Sequence, residues 1–222
     1  MPVDQQGELD AMRRALLTMG AEVEHRMKIA ISALITEDMG AIDFVLDGDD
    51  EIDQMELAIE QDGLRILALS QPFATDLRMI LATMRIGGLY ERVGDLARGV
   101  AKRAVDLQKY KSIDETEPFR LPKPLVSMAV ASLEMLVDVN RALADLEINL
   151  ARSIREADDR VDDLQKEIFV WAQHEIPKHV DWTSAAIDIL SVARKLERIA
   201  DLSTNIAEEI IFLVDGSIVR HT

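Results

Sequence analysis

Cysteine is absent from this chain. That removes disulfides, thiolate metal ligands and thiol nucleophiles together, and it fits a reducing compartment. Aromatic residues are scarce, at 4%, so sheets built on aromatic cross-strand pairs have little to draw on. Bases are outnumbered, 25 Lys and Arg against 41 Asp and Glu, for a formal charge of −16. Such a chain repels phosphates, which argues against DNA, RNA or anionic lipid as direct ligands. No stretch reaches the ~18 uncharged apolar residues of a membrane span. The N-terminus Met1-Pro2-Val3-Asp4 also lacks the basic and apolar regions of a secretion signal. A cytoplasmic protein without nucleic-acid contacts is the expectation.

What the chain does have is helix-forming apolar residues at helical spacing. Hydrophobic residues make up 48% of the 222, enough for a substantial core. Leu9, Met12, Leu16, Met19, Val23 and Met27 recur every three or four residues, the stripe of an amphipathic helix. A second helix is predicted from about 38 to 69, with Val45, Ile52, Ile59 and Ile66 seven apart, ended by Ser70-Gln71-Pro72. A third runs from about 74 to 108, with Ile86, Leu89, Val93, Leu96 and Val100 as its core stripe. Residues 111–124 hold three of the six prolines and read as a linker. Three more helices follow, over about 125–146, 149–175 and 183–214. The fold class is therefore all-α, with two tandem, similar three-helix bundles over 1–110 and 125–222 joined by 111–124. Long amphipathic helices with short loops pack as antiparallel neighbours.

The halves repeat an acidic pattern. Glu91-Arg92-Val93-Gly94-Asp95-Leu96 returns 106 residues later as Glu197-Arg198-Ile199-Ala200-Asp201-Leu202. Asp49-Asp50-Glu51-Ile52-Asp53 returns 109 residues later as Asp158-Asp159-Arg160-Val161-Asp162. Residues i and i+4 share a helical face with β-carbons about 5–6 Å apart, and like charges there cost a few tenths of a kcal/mol. Four such pairs suggest a cation that offsets the repulsion. The register of the hairpins supports a shared site. Asp49/Asp53 and Glu91/Asp95 are centred on Pro72, and Asp158/Asp162 and Glu197/Asp201 on the loop at His179 and Val180. Each set should then sit at one height on neighbouring helices, off the core stripes and near the surface. Oxygen donors suit magnesium, manganese, calcium or iron, with zinc a further candidate.

No catalytic constellation stands out. Glu22-x-x-His25 resembles half of a diiron-bundle motif but occurs once and off the apolar stripe, so both are expected at the surface. His174, His179 and His221 have no cluster, and Ser70, Ser132 and Ser191 lack a His–carboxylate relay. Gly87-Gly88 lies inside a helical pattern and is expected to permit close packing.

The Glu-Arg-Val/Ile-Gly/Ala-Asp motifs, Asn205-Ile206-Ala207-Glu208-Glu209, Met19-Gly20, and Gln71-Pro72 before Ala74-Thr75-Asp76-Leu77-Arg78 resemble the PhoU family in content and order. The resemblance implies two similar three-helix bundles with surface metal clusters held by Asp49, Asp53, Glu91 and Asp95, and by Asp158, Asp162, Glu197 and Asp201. It also implies a cytoplasmic negative regulator, non-enzymatic and homodimeric, linking the phosphate ABC transporter's ATPase subunit to the sensor histidine kinase of the phosphate regulon. The first half departs from the pattern, with Arg98-Gly99 where the second has Thr204-Asn205, and Lys102 one turn later. On that ground the second site is expected to bind metal more tightly. Two other readings stay open: a metal-dependent carboxylate-bundle hydrolase or oxidase, and a metal-free helical adaptor.

Overall fold

In a computed structural model describing residues 5–110 and 119–217, the regular elements are all helical. They are α1 (Gln5–Thr36), α2 (Ile42–Asp47), α3 (Asp49–Leu69), α4 (Ala74–Gln108), α5 (Lys123–Asp145), α6 (Ile148–Glu175) and α7 (Thr183–Asp215), with a 3₁₀ turn at Val180–Trp182 before α7. The apolar stripes are the packed faces. Met12, Met19, Val23 and Met27 of α1 are buried, as are Ile52, Ile59 and Ile66 of α3 and Ile189, Leu196, Ile199 and Ile206 of α7. Each such side chain contributes about 1.5–3 kcal/mol on leaving water. Together they form one continuous core across both halves.

The packing order positions the acidic motifs. In the first half α4 packs on α1 and α3; in the second α7 packs on α5 and α6. α4 and α7 then pack on each other, and α1 on α5. The result is a row α3–α4–α7–α6 with α1 and α5 laid beneath it. Within the first hairpin, a β-carbon on Gly94 would lie 2.8 Å from Ile52 Cδ1, and one on Gly63 2.6 Å from Met84 Sδ. Both pairs are nearly equidistant from Pro72, so the register centred on the turn is the one adopted. Of the linker, residues 111–118 lie outside the described part. Residues 119–122 are non-helical, and α5 takes in Lys123 and Pro124, proline being welcome in a first turn.

One predicted helix is two. The stretch from about 38 to 69 is interrupted at Gly48, between α2 and α3. The cause is Arg26, which is 2% exposed. Its Nη1 donates to the Gly48 carbonyl, its Nη2 to Glu51 at 2.9 Å and its Nε to Glu22 at 2.8 Å. The guanidinium fills the space beside Gly48, where a β-carbon would lie 2.7 Å from Nη1. The Gly48 carbonyl accepts from both Arg26 and the Glu51 amide, so the chain is held to Arg26 where α2 ends and α3 begins. Glu22 is consequently half-buried in an ion pair rather than a free surface acid, while His25 is exposed and lies against Phe44.

Candidate functional site

Two carboxylate clusters form, one in each half. Burial lifts the Glu91 carboxyl above the ordinary carboxylate range, and repulsion from Asp95, Glu56 and Asp53 lifts it further against the pull of Arg92. Glu197 is lifted by burial, then by Asp201, Asp162 and Asp158, with Arg198 opposing. In each case acids from both helices of a hairpin act on one half-buried glutamate. Asp49 begins α3, but its side chain lies outside the described part of the structure. Asp53, Asp95, Asp162 and Asp201 are exposed, and Asp158 is half-buried.

Glu56 is a member of the first cluster that the i,i+4 pattern does not reveal. Glu56 and Gly88 are equidistant from Pro72, and a β-carbon on Gly88 would lie 3.2 Å from Glu56 Oε1. Gly88 thus makes room for a carboxylate, a signal present in the sequence once the hairpin register is used. Its neighbour Gly87 is in ordinary contact range of Ile59. Arg98, the cation expected beside the first site, donates through Nε to the Leu46 carbonyl at 2.9 Å.

The clusters flank a shared cleft. Arg92, Asp95 and Leu96 of α4 and Arg198, Asp201, Leu202 and Asn205 of α7 line a space of about 330 Å³. Arg92/Arg198, Asp95/Asp201 and Leu96/Leu202 are repeat-equivalent pairs, so the cleft lies where the two halves are related to one another. Leu89 and Leu96 are half-buried, not core as their spacing suggests, because they line the trough between α4 and α7.

The donors suit a metal in kind. They are carboxylates only, which favours hard cations, and their mutual repulsion is what a bound cation would relieve. Among the described residues no three acidic or histidine side chains converge into a finished cage, so binding would draw exposed carboxylates inward. The histidines stand apart: His179 stacks on Trp182 at 4.1 Å, and His221 lies outside the described residues. The Ser70 and Ser132 hydroxyls donate to the carbonyls of Ile66 and Met128 in their own helices. No helix among the described residues is long and apolar enough to cross a membrane.

The class of protein so defined is a duplicated helical bundle whose repeated face presents acids and arginines. The PhoU domain matches residues 16–104 and again 125–210, and the chain belongs to the PhoU family. It is 36% identical over 217 residues to the phosphate-specific transport system accessory protein PhoU homolog of Pseudomonas aeruginosa, covering 96% of this chain and 86% of that one. With the accessory protein PhoU of Escherichia coli it shares 31% identity over 214 residues, at the same two coverages. The crystal structure of PhoU from Pseudomonas aeruginosa superposes with a TM-score of 0.87 at 33% identity, covering 96% of this chain and 99% of that one. The phosphate transport system regulatory protein PhoU from Streptococcus pneumoniae gives 0.81 at 27% identity, covering 98% and 100%.

Proposed function

We propose that this chain is a negative regulator of phosphate uptake and phosphate-regulon signalling. In this reading it works on the cytoplasmic side through contacts with the ATPase subunit of the phosphate ABC transporter and with the sensor histidine kinase. The observation that carries the reading is the duplicated acidic face, present on a chain whose relatives are accessory proteins of phosphate-specific transport. Asp49, Asp53, Glu91 and Asp95, joined by Glu56, would hold metal ions in the first half. Asp158, Asp162, Glu197 and Asp201 would do so in the second. A metal there would neutralise the clusters and fix exposed side chains for contact with a partner.

A deletion strain carrying a phosphate-regulon reporter tests this. Loss of the gene should leave the reporter on in high phosphate, and the wild-type gene should restore repression. A deletion that leaves the reporter repressed would refute the regulatory reading.

A further inference from the structure

The cleft between the repeats is the middle of a longer trough. A space of about 370 Å³ lined by Arg85, Leu89, Glu208 and Glu209 shares Arg92 and Asn205 with the central cleft. On the other side, a space of about 430 Å³ lined by Ile187, Leu190, Arg194 and Lys195 shares Leu96 and Arg198 with it. The helices run antiparallel along the trough: Arg85 pairs with Glu209 at 3.3 Å, and Arg103 pairs with Asp188 at 3.1 Å at the other end. From Ile187 to Glu209 the trough follows α7 for about 33 Å at 1.5 Å per residue.

The duplication makes the trough symmetric in backbone, but not in charge. Gly88 and Leu89 of the first repeat correspond to Arg194 and Lys195 of the second. Lys102 and Arg103 correspond to Glu208 and Glu209. One end therefore gathers Arg194, Lys195 and Arg198 around Leu96, Leu190 and an Ile187 that is 58% exposed. The other end carries Glu208 and Glu209, with Arg85 paired to the latter. Arg92 and Arg198 are both exposed and line the central cleft. A cationic, partly apolar end is unexpected on a protein of charge −16.

We propose that this trough docks an amphipathic helix of a protein partner. The acidic turns of that helix lie on Arg194, Lys195 and Arg198, and its apolar stripe covers Ile187, Leu190 and Leu96. Length and chemistry both fit: six turns of helix span the trough, and helix-in-groove recognition uses apolar anchors at i, i+3, i+4 and i+7. Opposite charge at one end sets the direction in which the helix lies and steers its approach. Duplex nucleic acid is disfavoured, because Asp95 and Asp201 in the central cleft and Glu208 and Glu209 at the other end would repel its phosphates. The inference deepens the regulatory reading and rests on it for the choice of partner.

The test is binding of the full chain to the purified phosphate transporter, ATPase subunit included, in detergent. Arg194→Glu/Lys195→Glu/Arg198→Glu should weaken binding by at least about tenfold, and Ile187→Asp severalfold. Arg141→Glu/Lys166→Glu/Lys178→Glu, which changes net charge equally on other surfaces, should stay within about twofold of wild type. Thermal melts of all variants separate lost contacts from lost folding, Arg194 and Arg198 being exposed and Lys195 half-buried over Gly99. A folded triple variant that binds like the wild type overturns the docking groove while leaving the regulatory reading standing. A wild-type chain that does not bind the transporter overturns both. Salt-sensitive binding of duplex DNA, lost in the triple variant, would overturn the assignment of a protein helix.

Discussion

The Tyr90 hydroxyl donates to Asn140 Oδ1 at 2.6 Å and so ties α4 of the first repeat to α5 of the second. Asn140 in turn donates to the Gly20 carbonyl at 3.0 Å and to Glu24 at 2.8 Å, drawing α1 into the same knot. Tyr90 is fully buried, and a β-carbon on Gly20 would lie 2.9 Å from its ring. The halves are thereby held in a fixed relation, and that relation builds the trough between α4 and α7.

Tyr90→Phe should lower stability by about 1–3 kcal/mol, because the Asn140 oxygen loses its donor in a buried place. Gly20→Ala should cost a similar amount by overpacking against the ring. Denaturant unfolding followed by circular dichroism measures both. No change for either variant would show that the knot is not holding the repeats together.

Alkaline pH gives a second readout of the same residue. Burial raises the Tyr90 phenol well above its ordinary value of 10.0, and Glu24 adds to the shift. Below that ordinary value the phenol is neutral in folded and unfolded chains, so it makes stability no steeper with pH. Above it, the unfolded chain loses a proton that the folded chain keeps, and stability falls as pH rises. The half-buried Tyr110 shifts in the same direction through burial and Asp188. Tyr90→Phe should therefore flatten, but not abolish, the loss of stability above pH ~10. An unchanged slope would contradict the assignment.

Arg26→Leu should destabilise the protein by about 2–4 kcal/mol, below the value for a fully buried ion pair because Glu51 is 56% exposed. The effect should concentrate in α2 and the start of α3, where hydrogen exchange of the backbone amides should accelerate. Uniform protection across α2 in the variant would mean that the break at Gly48 has another cause.

Much of this architecture is legible in the sequence because helical periodicity reports burial directly. The stripes of α1, α3 and α7 are the buried faces, and the turn at Pro72 sets the register of its hairpin. The break at Gly48 is not legible, since it depends on Arg26, which lies 22 residues away in sequence and looks like one more surface cation. Glu56 is hidden from a search for acids four apart, and becomes visible only opposite Gly88. The trough escapes for a different reason: a stripe on one helix does not say which other helix lies beside it. Leu89 and Leu96 carry the core spacing yet line a groove.

Repulsion within the clusters predicts opposite effects with and without metal. Glu91→Gln/Asp95→Asn should melt slightly higher than wild type in chelator, by a few tenths of a kcal/mol for each relieved pair, and lower than wild type in saturating metal. A variant that melts below wild type in both buffers would show that these acids are structural.

The first half carries Glu56 where the second, 109 residues on, carries Gln165. Glu56→Gln should weaken metal binding in the first half, and Gln165→Glu should tighten it in the second, each by about three- to tenfold after screening. Two variants without effect on metal affinity would remove Glu56 from the site.

Calorimetric titration of manganese into chelator-stripped protein tests the metal-site account most directly, using wild type, Glu91→Gln/Asp95→Asn and Glu197→Gln/Asp201→Asn. Wild type should bind in both halves, and each double variant should lose the sites of its own half. The Glu197/Asp201 variant should lose the tighter ones, because the second half has the neutral oxygen donor Asn205 one turn beyond Asp201 where the first has Gly99, with Lys102 close by. If both variants bind as much manganese as wild type, and as tightly, the duplicated acids are surface decoration and the account is wrong.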